Sequence, residues 1–155
     1  MKLVKSLPSI AWIGWTAGII DGEGWIGIRV IKKRSDTTSG NVKFTPTIEV
    51  QNTDFPMIKK LHELWGGYFG EHREQRLNWK NTYRWIAGSN TLLLILNACL
   101  PYLITKREQA ELALYFQQSV ADNRNRFWGK ALPVDEMQIR HEMALQMKKL
   151  NQRGA

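Results

Sequence analysis

An apolar run over residues 10–20 that stops at Asp21-Gly22-Glu23-Gly24 constrains this chain more than any other stretch. Its small residues Ala11, Gly14 and Gly18 fall three and four apart, so on a helix they share one face. A face without bulk lets a second backbone come very close, the small-xxx-small logic best known from membranes. Asp21 and Glu23 follow at the helix end, beside glycines free to adopt backbone angles that other residues avoid. The helix macrodipole favours cations at a C-terminus. Two acids there break a local rule, and such breaks gather at functional sites. The plainer alternatives are incidental core packing for the small residues and a solvated turn for the acids.

The 155 residues predict a single domain, 1–155, large enough for a real core. Hydrophobic content of 43% with seven Trp excludes a disordered chain. The net charge of +8 asks for a polyanionic partner, nucleic acid or an anionic membrane surface. Cys99 stands alone in an apolar run, which rules out a disulfide framework and suits a reducing compartment. Apolar stretches reach about eleven residues, too short to span a bilayer. Residues 1–20 resemble a signal peptide (Lys2, Lys5, then an apolar run), but Pro8 interrupts early and the run continues into the acids, so we read it as structure.

Ser9 is the expected N-cap of the first helix, over about 9–24. From Trp25 the period changes to two: Ile26, Ile28 and Val30 alternate with Trp25, Gly27, Arg29 and Ile31. A polar turn at 32–41 leads to a second alternating strand at 43–51, where Pro46 argues for a sheet edge or a bulge. Asn52-Thr53-Asp54 with Pro56 opens a helix at 55–65, stopped by Gly66-Gly67. Strands at 68–72 and 79–87 form a second hairpin. A very apolar helix at 91–100 ends at Pro101, and Thr105-x-x-Glu108 is a capping box for a helix reaching about 120. A basic loop at 122–130, carrying Arg124, Arg126 and Lys130, precedes a final amphipathic helix after Pro133, within a C-terminal extension of about 122–155.

The order α-β-β-α-β-β-α-α-α cannot make an all-parallel sheet; it predicts an α+β fold with four antiparallel strands and helices on one face. The other face would stay open and carry Arg29, Lys43, Thr45, Thr47, Glu49 and Gln51. The acidic motif occurs once.

The stretch Thr16-Ala17-Gly18-Ile19-Ile20-Asp21-Gly22-Glu23-Gly24 resembles the LAGLIDADG motif of homing endonucleases at seven of nine positions. Thr16 replaces the leading Leu, and Glu23 stands for the last Asp with the carboxylate kept. The element order is similar to that family's αββαββα core, here with extra C-terminal helices. Asn52-Thr53-Asp54 with Gly66-Gly67 resembles its second-helix junction, and Leu100-Pro101-Tyr102-Leu103 through Lys106-Arg107 and Gln109-Ala110 the segment holding its catalytic lysine.

The resemblance implies a homodimer, because two motif helices build one active centre, with Ala11, Gly14, Ala17, Gly18 and Asp21 at the interface. It implies Mg²⁺ (or Mn²⁺) held by Glu23 and the Gly22 carbonyl. Lys106 would steady charge at the site, and Asn52 would orient water, with Gln51 the alternative should the strand register slip. The plainer role for Asn52 is a helix cap. His62-Glu63 and His141-Glu142 lack the second His of H-E-x-x-H, and one Cys excludes a zinc knuckle. Double-stranded DNA would lie on the open face, which a two-stranded ribbon can present to a major groove. Its contacts would come from Arg29, Lys33, Arg34, Lys43, Thr45, Thr47, Glu49, Gln51, Tyr68, His72, Arg76 and Arg84. Between residues 29 and 84 there are eleven Lys/Arg against six Asp/Glu, so positive charge is concentrated there. The implied activity is site-specific double-strand cleavage of a long pseudo-palindromic site by an intron-encoded enzyme in an organelle or a prokaryotic cytoplasm. A non-cleaving maturase or transcription regulator on the same scaffold is the alternative.

Overall fold

In the computed structural model, residues 6–32, 42–122 and 132–152 are described. The first helix, α1 (Ile10–Glu23), starts where Ser9 accepts from the Trp12 amide at 3.4 Å. It runs three residues past the apolar stretch, so Asp21, Gly22 and Glu23 form its last turn. Gly24 then begins β1 (Gly24–Lys32) with no loop between. Gly24 has an ordinary extended backbone, so the freedom expected of it is not what the position needs. A Cβ there would stand 2.8 Å from the Ile20 backbone. Close approach demands the glycine.

β2 (Val42–Asn52) pairs antiparallel with β1, placing Ile26 opposite Ile48 and Arg29 opposite Thr45. After α2 (Phe55–Trp65), β3 (Tyr68–His72) and β4 (Thr82–Gly88) complete one antiparallel sheet of order β1-β2-β4-β3. β2 is therefore internal, not the edge that Pro46 suggested. Pairing with β4 begins at Thr47, so Pro46 lies beyond that ladder and its missing N–H costs nothing on that side. β4 begins at Thr82, three residues later than expected. The Glu74 amide donates to Asn81 Oδ1 and the Trp79 amide to Arg76 O, which ties residues 74–81 into a tip and leaves Trp79 63% exposed.

Apolar alternation puts Ile26, Ile28, Phe44, Ile48, Val50, Trp85 and Ala87 on the face covered by helices. Against it pack α1 and α2, then α3 (Ser89–Cys99), which Pro101 converts into a 3-10 turn at Leu100–Tyr102, and finally α4 (Arg107–Asp122) and α5 (Val134–Gln152). One continuous core results, with Trp85, Phe116, Leu92, Leu96 and Met147 among its buried members. No helix among the described residues is long and apolar enough to cross a membrane.

α1 meets this core through Ile13, Thr16, Ala17 and Ile20. Thr16, the departure at the head of the motif, accepts from Trp65 Nε1 at 3.0 Å and donates to Trp12 O at 2.8 Å. A buried hydroxyl thereby joins α1 to α2 with its hydrogen bonds satisfied. Ala17 was expected at a subunit interface. It is 1% exposed and belongs to the interior of its own subunit, one helical step from the small-residue face.

Candidate active site and nucleic-acid interface

The end of α1 brings two acids to different fates. Asp21 turns back into its own subunit: Oδ2 accepts from the Ile104 amide at 2.8 Å and Oδ1 from the Lys106 amide at 3.0 Å. Both are orphan donors ahead of α4, so Asp21 caps that helix from a distance. Expected at the interface, it is instead spent on intrasubunit hydrogen bonds. Glu23 is exposed, and its Oε2 accepts from Asn52 Nδ2 at 3.2 Å. Asn52 Oδ1 also accepts the Asp54 amide at 3.0 Å, so one side chain orders the entry to α2 and orients Glu23. The N-cap of α2 is Asp54, whose side chain accepts from the Met57 amide, and Asn52 stands two residues before it, beside Glu23. Gln51 points to the opposite sheet face, with Nε2 3.5 Å from Thr82 Oγ1, and does not join this cluster.

Lys106 completes the cluster. Its Nζ donates to Asp21 O at 2.6 Å, a cation on the negative end of α1 where the macrodipole favours it. Burial pulls its pKa below the ordinary lysine value, opposed by the charges of Asp21 and Glu23. The last carbonyls of a helix lack partners within it. Lys106 takes that of Asp21, and that of Gly22 comes next. A carboxylate and a helix-end carbonyl are hard oxygen donors of the kind Mg²⁺ takes. Among the described residues no three His, Cys, Asp or Glu gather to hold a metal.

The outward face of α1 is bare. Ala11 and Gly18 are exposed, and a Cβ added at Gly14, Gly18 or Gly22 would meet nothing within 4 Å. Nothing inside the subunit requires those glycines.

On the open sheet face the expected DNA contacts separate into groups. Lys33 and Arg34 lie outside the described residues, as do Arg124, Arg126 and Lys130. Lys43, Gln51, Tyr68 and His72 are exposed. Arg76 stacks on Trp79, 4.7 Å from the ring centre, at the tip of the β3–β4 hairpin. Thr47 is a correction: it lies on this face but is only 2% exposed, and its hydroxyl donates to Thr45 O at 3.1 Å. The Trp25 indole lies on Gly27, the cross-strand partner of Thr47, and Arg29 reaches over the same row towards Glu49. Thr47 is roofed and cannot touch a base. Thr45 beside it has a buried hydroxyl as well. Glu49 is bonded by Arg29, and Arg84 Nε stands 2.8 Å from its Oε1. Spacing alone could not show that one acid holds both arginines, though their shared face was visible.

The LAGLIDADG endonuclease family model matches residues 16–113, from the head of the motif into α4. The chain belongs to that family. Solved LAGLIDADG relatives share its fold at low identity. The archaeal intron-encoded homing endonuclease I-Vdi141I, complexed with DNA, is 18% identical over 90% of this chain and 84% of its own, with TM-score 0.70. The homing endonuclease I-CvuI, held with an I-CreI target and Mg with the DNA not cleaved, is 17% identical over 90% and 82%, with TM-score 0.69. The homing endonuclease I-TnaI is 14% identical over 95% and 96%, with TM-score 0.67. No curated protein matches the sequence.

Proposed function

We propose that two copies of this chain pair through the bare face of α1 and cleave both strands of a long, pseudo-palindromic duplex DNA site, with Mg²⁺, or Mn²⁺ in its place, as cofactor. The observation that carries this reading is the exposed Glu23 carboxylate, oriented by Asn52, at a helix end where Lys106 is already anchored. Three glycines in α1 cost about 1 kcal/mol each relative to alanine, and no neighbour in the subunit explains them. A second α1 laid against them does. Pairing brings two Glu23 side chains together, and like charges at that range repel. The two Glu23 carboxylates and the Gly22 carbonyls would hold a divalent cation, which would offset that repulsion and supply an activated water, charge neutralisation at phosphorus and a stabilised leaving oxygen.

The chain's own groups have definite tasks. Asn52 holds the Glu23 carboxylate in one orientation, and the Lys106 ammonium sets positive charge beside the scissile phosphate. Asp21 fixes the segment that carries Lys106. The open face supplies the basic surface for the groove, and the relatives solved with DNA, together with the intron-encoded one, support this substrate and a mobile-intron origin.

The test is incubation of the protein with a randomised duplex library and Mg²⁺, beside Glu23→Gln. The wild type should yield cut products, and the variant should bind equally while losing cleavage by at least about 10²-fold, the scale for removing one charge-stabilising group. Unchanged cutting would remove Glu23 from the chemistry. The alternative is a DNA- or RNA-binding maturase or regulator on the same scaffold. Binding without cleavage by the wild type in any divalent cation would select it.

A further inference from the structure

Three charged side chains cross three strands of the open face. Arg29 on β1 hydrogen-bonds to Glu49 on β2, and Arg84 on β4 forms an ion pair with the same carboxylate, its buried Nε 2.8 Å from Oε1 without hydrogen-bond geometry. Their exposures differ in an informative way. The Glu49 side chain is 18% exposed, whereas Arg29 and Arg84 are 36% and 42% exposed above it. A carboxylate sunk beneath two guanidinium groups cannot reach into a groove to accept from cytosine. The guanidinium groups stand where a base edge would arrive.

Each arginine has a second support. Arg29 lies over the Trp25 ring, 5.7 Å from its centre, and that indole is itself laid flat on Gly27. Arg84 sits in a recess of about 290 Å³ with Gln51, Tyr68, His72 and Thr82, and Tyr68 leans over Gly70, the cross-strand partner of Arg84. Two free arginines on a bare sheet would sample many rotamers and repel each other. One shared acid pairs with both charges, bonding Arg29 and attracting Arg84, and lowers the ordering cost of docking. A lone glutamate facing DNA would repel phosphates, but this triad carries net +1.

We propose that Glu49 is a positioning residue that presents Arg29 and Arg84 as a fixed pair of guanine readers, so that each half-site carries two guanines at constant separation. A planar guanidinium matches O6 and N7 of guanine with two parallel hydrogen bonds, the commonest specific contact in the major groove. The acid would recognise no base itself. The assignment rests on the open face being the DNA interface; the identity of the bases and the role of Glu49 are new.

The experiment selects bound duplexes from a randomised library with Ca²⁺ in place of Mg²⁺, so that cleavage plays no part. It compares the wild type with Arg29→Ala, Arg84→Ala, Glu49→Gln and Glu49→Asp, each checked for folding by circular dichroism. The wild type should prefer guanine at two positions per half-site. Each arginine variant should lose the preference at one position only, by about 5- to 150-fold. Glu49→Gln should weaken both together while affinity for non-specific DNA stays level or rises, a pattern that a merely structural role would not give. Glu49→Asp, one methylene shorter, should retain one preference and lose the other. A cytosine preference that vanishes at a single position in Glu49→Gln would overturn the proposal by making Glu49 a reader. So would the absence of guanine preference in a wild type that still selects a sequence. A wild type that binds no duplex at all would fail earlier, at the DNA-interface reading.

Discussion

The two faces of α1 follow opposite rules. The inward face carries Ile13, Thr16, Ala17 and Ile20, all buried and matched to neighbours; Cys99 Sγ even reaches Ile13 O at 3.7 Å. The outward face carries Ala11, Gly14, Gly18 and Gly22, and a Cβ added at any of the three glycines would meet nothing in the subunit. The inner residues are explained by this chain alone. The outer ones are explained, on the proposed function, by a second copy of α1. The acids divide the same way: Asp21 is consumed inside as a cap on α4, and Glu23, two residues on, is left outside.

Substitutions on the two faces should therefore differ in sign as well as size. Ile20→Ala, on the inner face, should cost about 2–5 kcal/mol of folding stability, read as a lowered midpoint in urea with the slope unchanged. Gly24→Ala would push a Cβ into the Ile20 backbone and should cost about 1–3 kcal/mol through forced backbone movement, with loss of any cleavage because Glu23 shifts with it. Asp21→Ala removes the cap on the Ile104 and Lys106 amides and should cost about 0.5–2 kcal/mol; hydrogen exchange should rise at those two amides first. Gly18→Ala, on the outer face, should raise the stability of the isolated subunit by up to about 1 kcal/mol while weakening self-association in sedimentation. A Gly18→Ala protein that is less stable as a monomer would show that the outer face is packed after all.

The smallest effect concerns Cys99, beneath the inner face. Burial pushes its thiol up from 9.0 to about 12. The folded state holds that proton while the unfolded state releases it above about pH 9. Its contribution is thus complete below pH 9 and is lost as pH rises from 9 towards 12. Iodoacetamide should label it slowly in the native protein at pH 8.5 and readily after unfolding.

Element order and type were legible in the sequence because apolar periodicity and caps at Ser9 and Asp54 act locally. The acid at Glu23 and the lysine at Lys106 were legible through the family's motif. What escaped depends on contacts distant in sequence. Asp21 meets residues 104 and 106 more than eighty positions away. Thr47 has the right parity for the open face, yet it is covered by groups from β1 that parity cannot show. Gln51 and Asn52 differ by one residue, which in a strand is a change of face. Only the ladder to β4 decides which of them approaches Glu23.

The missing loop between α1 and β1 has a mechanical consequence. Glu23 ends the helix and Gly24 begins the strand, with the backbones nearly touching at Ile20. No slack separates the carboxylate from the strand bearing Arg29, so whatever tilts β1 must swing Glu23 along with it. On the proposed function, a duplex that seats badly on the strand would drag the acid out of alignment, and a poor fit in the groove would be felt at the phosphate without any intermediate moving part.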